Sequence, residues 1–237
     1  TKLSDIHLVA NKDSYNRIKK LGEDPKKIFV TGCPSIDIAK ESIKHDLKKI
    51  KLDGVGNEID LSKDYCVVLQ HPDTSRFDRS RNDINCILKA MKKINYQTVW
   101  FWPNPDAGTS QLSEGIRSFR EIEKIKNVYF IKHLRDLDFL CLLKNSKCLI
   151  GNSSVGIREC AYLGIPVVNI GDRQKNRLRA ENVIDVELNI SAIINSIEKQ
   201  LKKSYKPSII YGDGNSGKKI SDILSESSFS YKKQITY

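Results

Sequence analysis

The chain has 237 residues, 39% of them hydrophobic, and a formal net charge of +11. That is enough material for one large or two small domains with a buried core, and no apolar run approaches the roughly 20 residues of a membrane span. The lysines lie in short groups such as Lys19-Lys20, Lys48-Lys49 and Lys202-Lys203 on the polar faces of helix-like segments, with no helix-turn-helix, zinc-finger or aromatic strand motif beside them, so the charge reads as solvated helix faces and not as a nucleic-acid surface.

The chain opens on TKLSDIHLVANKD, a charged and interrupted stretch without the marks of a signal peptide, which reads as the middle of a longer sequence. Residues 6–10 predict a strand, 11–22 an amphipathic helix closed by glycine, and 27–32 a second strand. Residues 35–63 are polar, lysine-rich and weakly periodic, as expected of a connection. The rhythm then becomes regular. Strands are predicted at 65–70, 98–102, 128–131, 148–151 and 166–170, and helices at 80–94, 113–124 and 136–145, with one more after Gly151. Ile84, Ile87, Leu88, Met91 and Ile94 share one face of the first of these helices. The six cysteines stand singly on apolar stretches, without C-x-x-C pairs or a histidine cluster. They are expected to be buried reduced thiols of a cytoplasmic protein, with no metal and no cofactor implied.

Strands that alternate with helices, and are apolar enough to be covered on both faces, predict an α/β fold with a doubly wound parallel sheet. Ligands of such sheets bind beyond the carboxyl ends of the strands. Five successive strand ends carry polar residues there: His71-Pro-Asp-Thr74, Pro103-Asn-Pro-Asp-Ala-Gly108, Lys132-His133, Asn152-Ser-Ser154 and Gly171-Asp-Arg-Gln174. This is the composition of a site for a polar, anionic ligand. Gly151-Asn-Ser-Ser154, at a strand-to-helix junction, is expected to turn the N–H groups of Ser153, Ser154 and Val155 toward a phosphate, aided by the helix dipole.

The block Gly151-Asn-Ser-Ser-Val-Gly-Ile-Arg-Glu159, followed by Gly164-Ile-Pro-Val-Val-Asn-Ile-Gly-Asp-Arg-Gln-Lys175 and Arg179-Ala-Glu-Asn-Val183, closely resembles the hydrolysing UDP-N-acetylglucosamine 2-epimerases of sialic-acid biosynthesis. Gly32-Cys-Pro-Ser35, Gln70-His-Pro-Asp-Thr74 and Phe101-Trp-Pro-Asn-Pro-Asp-Ala-Gly108 resemble the same family in the same order. The resemblance implies a Rossmann-like domain forming one half of a two-domain GT-B fold. It also implies conversion of UDP-N-acetylglucosamine to UDP and N-acetylmannosamine, by elimination of UDP to a glycal and then hydration.

By position, His71, Asn104, Ser153, Ser154, Glu159 and Arg173 match residues of the UDP site, with His71 supporting UDP departure, and the turn holding His133 and Leu134 matches the segment near uracil. Non-hydrolysing relatives carry different residues where this chain has His71-Pro-Asp-Thr74, which favours the hydrolysing branch. On this comparison residues 1–35 are the end of an N-terminal domain, 36–63 a connection, 64–205 the UDP-binding domain and 206–237 a C-terminal helix and tail. The proton-transfer carboxylates of the family belong to sequence preceding Thr1, so the chain is expected to be inactive alone and to form a homo-oligomer in full-length form. Asp73 and Asp106, just past strand ends, are the local candidates for a base. A GT-B glycosyltransferase, an epimerase for a 2,4-diacetamido-6-deoxy sugar and a non-catalytic nucleotide-binding fragment are the alternatives.

Overall fold

Residues 1–123, 127–227 and Lys233 are described by a computed structural model of the chain. The first elements are β1 (His7–Val9), α1 (Lys12–Lys20), β2 (Ile28–Val30) and α2 (Pro34–Ser42). β1 and β2 pair in parallel and form a two-stranded sheet of their own. Next come β3 (Gly54–Gly56), β4 (Cys66–Leu69), α3 (Ser80–Ile94), β5 (Thr98–Phe101), α4 (Thr109–Glu123), β6 (Val128–Ile131), α5 (Asp136–Lys144) and β7 (Cys148–Gly151). The chain continues through α6 (Glu159–Leu163), β8 (Val167–Ile170), β9 (Val183–Val186), α7 (Ile190–Gln200) and α8 (Ser216–Glu226). Of the expected elements, Lys124 at the end of the fourth helix, and the tail beyond Ser227 except Lys233, lie outside the described residues.

A seven-stranded sheet runs in the order β3-β6-β5-β4-β7-β8-β9, parallel throughout except for β3, which pairs antiparallel with β6. Every residue of β5, β7 and β8 is buried. The pleat divides them between two cores. On one face Cys66, Val68, Trp100 and Ile150 meet the apolar stripes of α3, α4 and α7. On the other, Val67, Val99, Phe101 and Leu149 meet α5 and α6. This is the expected α/β, Rossmann-like, doubly wound sheet of one half of a GT-B fold. A fully buried Leu or Ile in either core contributes roughly 1.5–3 kcal/mol over its exposed state, which is why the strands read as continuous apolar runs.

Four elements depart from the reading of the sequence, one of them the unanticipated helix α7. α2 lies within the stretch read as a weakly periodic connection; it buries only Ile36, Ala39 and Ser42, too short a stripe to stand out over nine residues. β3 is Gly-Val-Gly, an edge strand whose Gly54 lies so close to its partner that a Cβ would come within 2.1 Å of the Phe130 carbonyl oxygen. β9 is only half-buried, at the opposite edge. The C-terminal segment returns to the start of the chain: the Asp37 carboxylate accepts the N–H groups of Ser216 and Gly217 at 2.9 and 2.7 Å, capping α8. Of the six thiols, four are buried and none is paired, while Cys33 and Cys86 are partly exposed, unlike the uniform burial expected of them. Among the described residues no helix is long and apolar enough to cross a membrane.

Candidate functional site

β4 and β7 lie side by side at the centre of the sheet, and the chain leaves them in opposite directions, toward β5 and toward β8. Such a switch point opens a crevice at the carboxyl ends of the strands. Gly151 ends β7 with φ +138°, and a Cβ there would sit 2.2 Å from the Leu69 carbonyl oxygen, so glycine alone allows β7 to close on β4. Asn152 then locks the two strand ends. Its Oδ1 accepts the His71 N–H at 2.8 Å, and its Nδ2 donates to the His71 carbonyl at 2.8 Å. The Asn152 carbonyl in turn accepts from Gln174 Nε2 at 2.8 Å and Arg173 Nη1 at 3.4 Å, which ties the loop after β8 to the same point.

The junction after Asn152 differs from expectation. Ser153 Oγ accepts the Val155 N–H at 3.4 Å, so that group is capped locally and does not face a ligand. A 3₁₀ turn over Ser154–Gly156 intervenes before α6, which has only five residues, so the helix dipole invoked for the anion is small. Gly156 fits under Val167 and Leu149, where a Cβ would stand 3.0 and 3.2 Å away. The N–H groups of Ser153 and Ser154 have no intramolecular acceptor among the described residues.

His71 is buried, and its Nδ1 accepts the Asn104 N–H at 3.2 Å, which assigns the proton of the neutral ring to Nε2. Burial, reinforced by the nearby Arg173 charge, pushes its pKa down to about 4, so the ring is a neutral N–H donor at physiological pH. Arg173 lies 3.6 Å from Asp106. Glu159 is buried; Oε1 accepts from Arg158 Nη2 at 3.3 Å, and Oε2 has no hydrogen-bond partner. Ser35, His71, Asn104, Ser153, Ser154 and Glu159 line one cleft of about 340 Å³. A larger cavity, about 690 Å³, lies beyond the ends of β8 and β9 among Arg76, Asp172, Lys175, Arg179, Asp185 and Glu187. Arg179 and Asp185 in it pair with one another at 2.7 Å, and none of the residues expected at the UDP site lines it, so we take the smaller cleft as the candidate site.

The UDP-N-acetylglucosamine 2-epimerase family model matches residues 1–225. The chain belongs to this family. It is 32% identical over 225 residues to a UDP-N,N'-diacetylbacillosamine 2-epimerase (hydrolyzing) of Legionella pneumophila, covering 94% of this chain and 58% of the relative. It is 31% identical over 202 residues to a UDP-N-acetylglucosamine 2-epimerase of Neisseria meningitidis, covering 84% of this chain and 51% of the relative. A crystal structure of the Neisseria meningitidis enzyme bound to UDP-GlcNAc superposes with a TM-score of 0.72 at 20% identity, over 94% of this chain and 62% of that one. The chain thus spans a little over half the length of the curated relatives it matches.

Of the residues singled out by the motifs of this epimerase family, His71, Asn104, Ser153, Ser154 and Glu159 meet in the cleft, and Arg173 stands beside His71. His133 and Leu134 do not line it: His133 is exposed, and Leu134 packs on the core beneath α5. That side of the cleft is formed instead by Asp136 and Phe139 of α5, and α2 contributes Ser35 and Ile38. Of these four, only Ser35 belongs to a motif that resembles the family, Gly32-Cys-Pro-Ser35. Asp73 caps the 3₁₀ turn Thr74–Arg79 through Ser75; burial opposes its charge, but hydrogen bonds from Ser75 and the Arg76 charge outweigh it and hold the carboxyl below its usual pKa.

Proposed function

We propose that the chain forms the nucleotide half of a hydrolysing UDP-N-acetylglucosamine 2-epimerase. The observation that carries this reading is the meeting, at the switch point of the sheet, of a neutral histidine donor, two serines with unclaimed N–H groups and a buried carboxylate with one unpartnered oxygen. Ser153 and Ser154 donate to the diphosphate, Glu159 accepts the ribose hydroxyls, and Asn104 borders the same pocket. Asp136 and Phe139, which follow the turn of His133 and Leu134, form the side of the cleft that serves the uracil end. His71 Nε2–H and Arg173 stabilise the negative charge that builds on UDP as the bond from C1 to oxygen breaks.

The base that removes the C2 proton is assigned to a preceding domain, because Asp73 is engaged as a cap and Asp106 faces Arg173. Residues 1–35 are proposed as the end of that domain, which the separate β1–β2 sheet supports. Residues 36–63 then form the connection, 64–205 the nucleotide domain and 206–237 the C-terminal helix and tail. The nearly equal identity to relatives named for two different sugars favours a second reading of the sugar, a UDP-2,4-diacetamido-6-deoxy hexose, on the same nucleotide half.

Calorimetry with UDP, uridine and free N-acetylglucosamine tests the site. UDP is expected to bind well above the other two, and equal binding of all three would remove the diphosphate role of Ser153 and Ser154. Incubation with UDP-N-acetylglucosamine is expected to release N-acetylmannosamine only when a separately expressed N-terminal domain is added. Release by the chain alone, abolished by Asp73→Asn or Asp106→Asn, would overturn this division of labour.

A further inference from the structure

Arg158 sits inside the family motif, between Ser154 and Glu159 of the cleft. Its guanidinium Nη2 is 3.2 Å from Ser154 Oγ and 3.3 Å from Glu159 Oε1, and its Nη1 is 3.7 Å from Cys33 Sγ at the start of α2. The side chain is 30% exposed and borders both the 340 Å³ cleft and a second cavity of about 250 Å³ bounded by Asn11, Arg17 and Tyr211. One cation therefore touches the serine assigned to the diphosphate and the carboxylate assigned to the ribose, and connects both to the segment that carries Ser35.

We infer that Arg158 is a positioning residue of the nucleotide site: it occupies an acceptor position on Ser154 and one oxygen of Glu159, and so fixes which way each of them faces the nucleotide. A guanidinium only donates, whereas a hydroxyl has one hydrogen and two lone pairs. With Arg158 on one lone pair, the Ser154 hydrogen turns away from the cation and is committed to donating elsewhere, to the phosphate. Glu159 is treated in the mirror sense. Oε1 is spoken for, Oε2 is left without a donor, and a ribose diol supplies the missing hydrogens. The charge of Arg158 also offsets that of a buried carboxylate facing an anionic ligand, which would otherwise repel it. This inference rests on the nucleotide reading given above.

An arginine that merely neutralised Glu159 would matter for folding and little for the choice between UDP and uridine. The test is therefore a cycle of affinities for UDP and uridine in the wild-type chain, Arg158→Gln, Arg158→Lys, Ser154→Ala and the Arg158→Gln, Ser154→Ala double variant, with Tm measured for each. UDP affinity is expected to fall roughly tenfold or more in Arg158→Gln. Uridine affinity should fall less, because the serine serves only the diphosphate. Arg158→Lys should recover part of the loss, since an ammonium reaches one acceptor but lacks the planar fork that reaches two.

The double variant should bind UDP no worse than about threefold below the weaker single variant, as expected when two residues act through one hydrogen bond. Unchanged UDP affinity in Arg158→Gln, or losses that multiply in the double variant, overturns the role of Arg158 while leaving the nucleotide site standing. A wild-type chain that does not bind UDP overturns both. If Arg158→Gln does not fold, Arg158→Lys decides with Ser154→Ala: a selective loss of UDP over uridine in both supports the inference, and wild-type selectivity in Arg158→Lys defeats it.

Discussion

Two cavities open on the same carboxyl edge of one sheet, and the larger is the poorer candidate for a site. In the 690 Å³ space beyond β8 and β9 the central charges are engaged with protein: Asp185 accepts from Asn169 at 2.7 Å and pairs with Arg179, whose guanidinium also reaches the Gln174 carbonyl at 2.8 Å. The 340 Å³ cleft between β4 and β7 holds groups left over, among them one oxygen of Glu159, the N–H groups of Ser153 and Ser154 and a histidine kept neutral. Volume follows from how strands fan apart at an edge. Binding follows from polar groups that the fold buries and does not pair, since each costs free energy until something arrives to complete it.

The glycines beneath the two cavities sharpen the contrast most. Both have positive φ, +138° at Gly151 and +78° at Gly171. A Cβ on Gly151 meets the Leu69 carbonyl oxygen at 2.2 Å, whereas on Gly171 the nearest atom is Leu188 Cδ1 at 3.9 Å. Gly171→Ala is expected to cost about 1–2 kcal/mol, the usual penalty of a side chain in a left-handed conformation. Gly151→Ala must also push β7 from β4 and break the Asn152 clamp, so roughly 4 kcal/mol or more is expected. Urea denaturation of the two variants measures the difference. Equal losses would mean that the switch point is no more tightly built than the outer edge.

The parts of the molecule that could be read from the sequence share a physical property. β4, β5, β6, β7 and β8 are short apolar runs because helices cover both faces, and α3 repeats its buried Ile84, Ile87, Leu88 and Met91 at helical spacing. β3 and β9 are edge strands with one neighbour each, and their residues carry no such demand. The same division runs through the cleft. His71, Asn104 and Ser153 follow directly on strand ends, where the sheet dictates their position. Asp136 and Phe139 arrive from α5 and Arg158 from the turn that leads into α6, and the contacts that matter for them depend on packing that no local pattern encodes. The helix dipole expected after Gly151 failed for a related reason: Ser153 closes a 3₁₀ turn, and Gly156 draws the backbone against Val167 before the α-helix begins.

Carboxylates of the two cavities give the next comparison. Glu159→Gln keeps the shape of the side chain and removes its charge as an acceptor, so UDP binding is expected to weaken by about 1.5–3 kcal/mol, roughly ten- to a hundredfold in Kd. Asp185→Asn in the larger cavity should leave UDP affinity unchanged and instead lower stability slightly through its contact with Arg179. Calorimetry on both variants reads the outcome. A loss of UDP affinity in Asp185→Asn equal to that in Glu159→Gln would place the nucleotide in the wrong cavity.

The smallest effect comes from His71, and its sign follows from the histidine's surroundings. Its pKa is held at about 4 in the folded chain, chiefly by burial and then by Arg173, against an ordinary value of 6.5. Between these two values the unfolded chain binds more protons than the folded one, so stability is fully present above pH 6.5 and is lost as the pH falls toward 4. The slope contributed by one such group reaches about 1.4 kcal/mol per pH unit, and between pH 7 and 5.5 the loss is on the order of 1 kcal/mol. His71→Gln removes the titration, and its stability should vary less over that range than that of the wild type. Saturating UDP should flatten or reverse the wild-type profile, because a diphosphate beside Nε2 favours the protonated ring that burial and Arg173 disfavour. Denaturant midpoints at pH 7.0 and 5.5, with and without UDP, test both statements. A wild-type profile that matches that of His71→Gln would show that His71 is not the buried neutral donor on which the proposed support of UDP departure depends.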